Sequence, residues 1–96
     1  MLKEKIKNKT AKVGIIGLGY VGLPLALEFA KTGFKVTGFD IDGEKVKNAN
    51  KGKSYIKDIK SLDLAREVKN KNFIATTDFK KLKELKKHLS KNEVEI

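Results

Sequence analysis

The chain has 96 residues, of which 40% are hydrophobic, so it is sized for one small domain and is too apolar for a disordered segment. It contains no cysteine, which excludes disulfides, thiolate metal sites and a cysteine nucleophile from these residues. The net charge is +10, but only one of the 22 basic residues is arginine and the aromatic residues do not alternate with the lysines, which argues against a specific nucleic-acid-binding face.

The N-terminal residues carry no structural pattern. Residues 1–11 are polar and rich in lysine, and we expect a flexible leader there. They lack the apolar segment and small-residue cleavage site of a signal peptide. The longest apolar run, residues 21–30, is interrupted by Gly22, Pro24 and Glu28, and it is too short to span a bilayer. These features favour a cytoplasmic protein without a membrane partner.

A strand, a helix and a second strand are predicted next. Residues 12–17 are a short apolar run rich in β-branched residues, which is typical of a buried parallel strand. Residues 21–32 predict a helix, and residues 34–39 predict the second strand. The helix has an apolar side at helical spacing, made by Leu25, Phe29, Val21 and Ala26.

The remaining elements repeat this alternation. Asp42 is placed to cap a helix over residues 43–50, and residues 53–62 are predicted to form a loop. Apolar spacing then predicts a short helix to about residue 69, a third strand over 72–76, and an amphipathic helix over about 79–90.

Alternation of strands and helices defines the predicted fold class. It is α/β, a Rossmann-like three-layer parallel sheet with about three strands, which is half of a dinucleotide-binding domain. In the complete strand order 3-2-1-4-5-6 the first strand is central. Without a fourth strand, residues 12–17 would form an exposed edge, and we expect self-association of the chain through it.

A glycine loop joins the first strand to the first helix. Gly17, Gly19 and Gly22 form G-x-G-x-x-G in that context, which is the dinucleotide-binding pattern. Gly17 allows the tight turn, Gly19 allows a pyrophosphate to approach the backbone, and Gly22 allows close packing of helix on strand. The N–H groups of residues 19–22 and the helix dipole are expected to face the phosphates.

An acidic residue follows at the end of the second strand. Asp40 lies eighteen residues after Gly22, where a carboxylate accepts hydrogen bonds from the adenosine ribose hydroxyls and repels a 2′-phosphate. Asp42 is the nearby competitor, but it is better placed as a helix cap. The sequence therefore predicts NAD, rather than NADP, as the cofactor.

These residues also carry a family resemblance. Residues 12–42, KVGIIGLGYVGLPLALEFAKTGFKVTGFDID, resemble the N-terminus of the nucleotide-sugar 6-dehydrogenases, and the similarity continues to about residue 84. The stretch from Tyr55 to Asp58 looks closer to the UDP-N-acetylhexosamine branch than to the UDP-glucose branch. The resemblance implies that Tyr20 and Val21 contact the pyrophosphate through their backbone, and that Lys45 reaches the ribose beside Asp40.

The resemblance also implies an activity. Family members are oxidoreductases of polysaccharide biosynthesis that oxidise the C6 alcohol of a nucleotide sugar to the acid with NAD. Their catalytic cysteine and lysine lie far downstream, so no catalytic residue is assigned in this chain, and a UDP-sugar is a partner only in the full-length context. We expect a truncated, NAD-binding segment over residues 12–84 that is not catalytic alone, followed by a charged helical tail over 85–96 that departs from the family.

Two other functions stay open at this point. One is a Rossmann-type nucleotide-binding or regulatory module, and the other is a basic module that binds polyanions. The glycine loop with Asp40 favours a nucleotide site over a polyanion site. The sequence has no metal-ligand spacing, and His88, the only histidine, is expected on the solvated surface.

Overall fold

The computed structural model describes residues 12–87 and 93–95, so the predicted leader and His88 lie outside the described residues. Four strands and four helices alternate along this part of the chain. In order they are β1 (Lys12–Ile16), α1 (Gly22–Lys31), β2 (Lys35–Phe39), α2 (Gly43–Asn50), α3 (Ser61–Lys69), β3 (Phe73–Thr76), α4 (Lys80–Lys87) and β4 (Glu93–Glu95). No described helix has the length and apolar character needed to cross a membrane.

The sheet is parallel throughout, in the order β3-β2-β1-β4. Val13 of β1 lies opposite Val36 of β2, which lies opposite Phe73 of β3. This order is the first two-thirds of the doubly wound dinucleotide-binding arrangement, in which β1 is central. The Rossmann-like fold class predicted from the sequence is confirmed.

The helices cover both faces of this sheet. Helix α3 contacts both α1 and α2, which places these three on one face, while α4 contacts β1 and β4. The chain reverses its lateral direction between β3 and β4, so a right-handed crossover puts α4 on the opposite face. The result is the expected arrangement of three layers.

Strand β4 corrects the prediction of an exposed first strand. It pairs with β1 over Lys12–Gly14, with Val13 opposite Val94, and Val13 and Ile15 are each only 1% exposed. The pairing with β4 therefore closes the β1 edge over Lys12–Gly14, while Ile16 at the end of the strand stays 47% exposed, so an edge open along the whole of β1 is not present for self-association. The prediction was wrong because residues 93–95, expected within a helical tail, form a strand whose single alternation is too short to recognise without its partner.

The core lies between α1 and the sheet. The fully or almost fully buried residues of α1 are Leu23, Ala26, Leu27 and Ala30. Leu25 and Phe29 pack against this core only partly, whereas Val21, predicted on the apolar side, is 79% exposed. Val21 precedes the helix and belongs to the turn of the glycine loop, so the helical period does not apply to it.

The outer strand β3 is covered by a side chain. The amide of Asn50, the last residue of α2, donates to the carbonyl oxygen of Ala75 at 2.8 Å and accepts from the N–H of Ala75 at 2.8 Å. These two bonds replace those that a neighbouring strand would make. The amide thereby blocks the edge at Ala75 and fixes the end of α2 to the sheet.

Candidate nucleotide-binding site

The glycine loop begins where β1 ends and is fixed to the next strand. The N–H of Gly17 donates to the carbonyl oxygen of Phe39 at 2.7 Å, and Gly17 has φ +86°, a left-handed conformation that favours glycine. The chain then turns so tightly that a Cβ at Gly22 would overlap the carbonyl oxygen of Gly17. Two of the three motif glycines are therefore required by the turn itself.

Gly19 lies at the open side of the loop. A Cβ built on Gly19 meets no atom within 4 Å, and the neighbouring side chains of Tyr20 and Val21 are 81% and 79% exposed. Among the residues that the structure describes, the N–H groups of residues 19–22 have no hydrogen-bond partner. Open space and a row of donors at a helix N-terminus suit the close approach of an anionic group such as a pyrophosphate.

A cleft of about 380 Å³ lies against the same loop. It is bounded on one side by Ile15 and Ile16 of β1 and on the other by residues of the loop and by Leu25 of α1. Its wall is largely apolar, and the backbone N–H groups of residues 19–22 provide polar groups at its edge. The residues present therefore fit a ligand with a phosphate at the loop and a less polar part beside it.

Asp40 stands next to the loop at the carboxyl end of β2. Asp40 is 9% exposed, and its carboxylate accepts hydrogen bonds from the N–H of Leu18 to Oδ2 at 2.8 Å and from the N–H of Asp42 to Oδ1 at 2.8 Å, with the N–H of Ile41 as a further backbone contact. A carboxylate offers about four lone-pair sites, so acceptor capacity remains beyond these contacts. The carboxylate is thus held rigidly with acceptor capacity left over.

The surroundings of Asp40 keep it charged. Burial by itself raises the pKa of this carboxyl, but the hydrogen bonds from Asp42 and Leu18 and the positive charge of Lys45 outweigh it, so the pKa lies below its usual value. A buried acceptor that stays ionised binds neutral hydroxyl donors strongly. Lys45, half-buried in the first turn of α2, brings the opposite charge to the same place.

Asp42 caps helix α2, as the sequence predicted. Its carboxylate accepts from the N–H of Glu44 at 3.0 Å and of Lys45 at 3.4 Å, so it caps α2. The structure therefore separates the two acids: Asp40 lies against the glycine loop, and Asp42 caps a helix. Gly17, Gly19, Tyr20, Val21 and Gly22 all lie on the loop beside Asp40.

Tyr55 makes a contact with the glycine loop that the sequence did not predict. It lies in the segment between α2 and α3, and its hydroxyl donates to the carbonyl oxygen of Leu18 at 2.6 Å. Burial, with the nearby charges of Asp40 and Asp42, raises the pKa of Tyr55 to about 12. A contact across 37 residues has no local pattern, so periodicity could not have found it.

No group of three or more histidine, cysteine, aspartate or glutamate side chains within residues 12–83 is arranged to hold a metal ion. Within the same residues, the charge of Lys45 lowers the pKa of Asp40, and the charges of Asp40 and Asp42 help to raise that of Tyr55.

The sequence of this chain is similar to the N-terminal NAD-binding part of known nucleotide-sugar dehydrogenases. UDP-N-acetyl-D-mannosamine dehydrogenase of Pyrococcus horikoshii is 44% identical over 45 residues, which are 47% of this chain and 11% of that protein. UDP-N-acetyl-D-glucosamine 6-dehydrogenase of Salmonella typhi is 40% identical over 73 residues, which are 76% of this chain and 16% of that protein. The chain thus spans a small part of the length of these relatives.

Solved structures give the same result. The ternary complex of GDP-mannose dehydrogenase from Pseudomonas aeruginosa superposes with a TM-score of 0.70 and 35% identity, over 73% of this chain and 16% of that one. The UDP-N-acetylmannosamine dehydrogenase of Pyrococcus horikoshii gives a TM-score of 0.67 and 32% identity, over 74% and 17%. Residues 11–89 match the UDP-glucose/GDP-mannose dehydrogenase family, NAD binding domain. The chain therefore belongs to this family, and the part described by the match is its domain for NAD.

Proposed function

We propose that the glycine loop and Asp40 form the adenosine and pyrophosphate half of an NAD site. The backbone N–H groups of residues 19–22, including those of Tyr20 and Val21, bind the pyrophosphate, and Gly17 and Gly22 shape the turn that presents them. Asp40 and Lys45 bind the adenosine ribose. The observation that carries this proposal is the buried carboxylate of Asp40, which is hydrogen-bonded to the glycine loop itself.

Electrostatics favours NAD over NADP. The carboxylate of Asp40 is charged and only 9% exposed, so a 2′-phosphate beside it would meet a weakly screened negative charge. Lys45 offsets part of this repulsion but is already close enough to Asp40 to influence its titration. The free ribose hydroxyls of NAD instead donate to the remaining lone pairs of the carboxylate.

For the protein as a whole we propose the oxidation of a nucleotide-sugar alcohol. NAD, when bound, supplies the hydride acceptor for such a reaction. The substrate class is a UDP-N-acetylhexosamine, because relatives named for UDP-N-acetyl-D-mannosamine and UDP-N-acetyl-D-glucosamine match this chain. The residues of this chain contribute cofactor binding, and none of them is assigned a catalytic role.

Isothermal titration of the purified chain with NAD and NADP tests the cofactor assignment. We expect NAD to bind and NADP to bind at least tenfold more weakly. Asp40→Asn removes the charge and should weaken NAD binding by about 10- to 100-fold, which corresponds to the loss of a charge-assisted hydrogen bond.

Glu44→Gln is the matched control, because it removes one negative charge from the same turn at an exposed position. It should leave the affinity for NAD unchanged. Equal affinity of wild type and Asp40→Asn, with both shown to be folded by circular dichroism, would disprove the role of Asp40.

A further inference from the structure

We propose that Tyr55 is a positioning residue of this site, whose hydroxyl orients the Leu18–Gly19 peptide so that the Gly19 N–H faces the phosphates. This inference rests on the proposed NAD function. It assigns a role to the segment between α2 and α3, which the glycine motif does not include.

The argument begins with the geometry of one peptide group. The carbonyl oxygen of Leu18 accepts the hydroxyl of Tyr55 at 2.6 Å. A trans peptide is planar, and its C=O and N–H point in opposite directions. The N–H of this peptide belongs to Gly19, so fixing the carbonyl toward Tyr55 directs the Gly19 N–H away from Tyr55, as one of the loop donors that lack a partner within the described residues.

Leu18 is also fixed at its own N–H group and at its side chain. The N–H of Leu18 donates to Asp40 Oδ2 at 2.8 Å, and its side chain is fully buried. That side chain lies so close to β2 that a Cβ at Gly38 would come within 2.6 Å of Leu18 Cδ2. With both neighbouring groups fixed, the remaining freedom is rotation of the Leu18–Gly19 peptide, and the Tyr55 hydroxyl restrains it.

Tyr55 is itself fixed by its own segment. Ile56, the next residue, is 7% exposed and belongs to the core, and the hydroxyl of Ser54, on the other side of Tyr55, donates to the carbonyl oxygen of Ile56 at 2.9 Å. The charges that face the hydroxyl are those of Asp40 and Asp42, and both favour the protonated phenol. The hydroxyl therefore stays a donor through the neutral range, and its bond also polarises the peptide toward a stronger N–H donor.

Comparison of Tyr55→Phe with Ser61→Ala is the central experiment. Tyr55→Phe removes one hydroxyl and should weaken NAD binding about tenfold, as expected for one lost hydrogen bond to a buried acceptor. Ser61→Ala breaks a hydrogen bond in the same segment that does not reach the glycine loop. It should leave the affinity for NAD within about twofold, the range of substitutions away from a site.

The choice of ligand separates positioning from general loosening. Adenosine has no phosphate and does not need the Gly19 N–H, so Tyr55→Phe should weaken NAD and ADP but leave the affinity for adenosine unchanged. Equal weakening for all three ligands would overturn the proposal, because it would mean that the variant disturbs the whole site.

Two measurements do not depend on NAD binding. In ¹⁵N–¹H spectra, Tyr55→Phe should move the amide resonance of Gly19, and Ser61→Ala should not; an unmoved Gly19 resonance would overturn the proposal. The chain has no tryptophan and two tyrosines, so absorbance near 295 nm reports their ionisation in the wild type. Tyr55→Phe should remove the part of this absorbance change that occurs near pH 12, and loss of a part near the usual value of about 10 would contradict a held Tyr55 hydroxyl.

These outcomes keep the two proposals apart. A wild-type chain that does not bind NAD refutes the proposed function, while the Gly19 resonance still decides whether Tyr55 orients the loop. A wild-type chain that binds NAD as tightly as Tyr55→Phe refutes the role of Tyr55 and leaves the NAD site standing.

Discussion

The glycines of the loop are constrained for different reasons. At Gly22 a Cβ would overlap the backbone oxygen of Gly17, so the residue is required by the fold whether or not a ligand is bound. At Gly19 a Cβ would meet no protein atom within 4 Å. Packing does not require glycine at this position, whereas the approach of a ligand to the backbone does, which makes Gly19 the motif residue most specific to binding.

Gly19→Ala should therefore fold normally and bind NAD poorly. We expect a melting temperature within about 4 °C of the wild type, which corresponds to less than about 1 kcal/mol for a domain of this size. The affinity for NAD should fall at least tenfold, measured by titration calorimetry. Gly43→Ala is the control, because its Cβ is equally unobstructed at the start of α2, and it should change neither property. A Gly19→Ala variant with wild-type affinity would mean that the pyrophosphate does not approach this backbone.

Helix α2 shows how an element next to the site begins. Asp42 caps it through the N–H groups of Glu44 and Lys45, and the helix carries Lys45 to the neighbourhood of Asp40. At its other end, the amide of Asn50 is bonded to Ala75 of β3. The helix is thus fixed at both ends, and its position sets that of Lys45.

Asp42→Ala should destabilise the chain by about 1 kcal/mol, the usual cost of losing an N-cap. Urea unfolding measures this change, with Asp58→Ala, an exposed acid outside any helix, as the control expected to have little effect. The backbone N–H of Asp42 that binds Asp40 is retained in the variant. The affinity for NAD should consequently fall much less than in Asp40→Asn. A larger loss would indicate that Asp42, and not Asp40, binds the ribose.

Most of the elements could be predicted because their ends carry local signals. Gly33 with φ +109° and Gly52 with φ +74° follow α1 and α2, and Asp42 precedes α2, so the predicted bounds of these two helices agree with the structure to within one residue. The features that could not be predicted depend on partners far away in the sequence. Tyr55 is identified only by its bond to Leu18, and β4 only by its pairing with β1. Neither contact leaves a periodic trace in the sequence.

At the scale of the whole molecule, the ionised carboxylate of Asp40 contributes to the stability of the fold as well as to the site. Its pKa is lower in the folded chain than in the unfolded chain, so its ionised form stabilises the fold. This contribution is fully present above the unfolded pKa of about 3.9 and is lost as the pH falls through the lower, folded value. The tie between the glycine loop and β2 therefore weakens in acid.

Unfolding by urea between about pH 6 and pH 2 should reveal this term. The free energy of unfolding of the wild type should fall more steeply toward acid than that of Asp40→Asn, which cannot titrate at this position. Glu44→Gln is the control, because it removes a carboxylate from the same turn and leaves the hydrogen bonds of Asp40 in place, and it should retain the steeper dependence. Parallel curves for wild type and Asp40→Asn would show that Asp40 has the same pKa in the folded and unfolded chains.

The pairing of β4 with β1 has a consequence for the timing of synthesis. Lys12 pairs with Lys35 on one side and with Glu93 on the other, so one neighbour of the central strand is made early and the other late. Translation at about 5–20 residues per second leaves the interval between β3 and β4 at about a second or more. During that interval the backbone N–H and C=O groups on one side of the central strand have no β4 to pair with. We expect this unpaired edge to be the part of the nascent chain most open to pairing with another extended segment, until residues 93–95 arrive and close it over Lys12–Gly14.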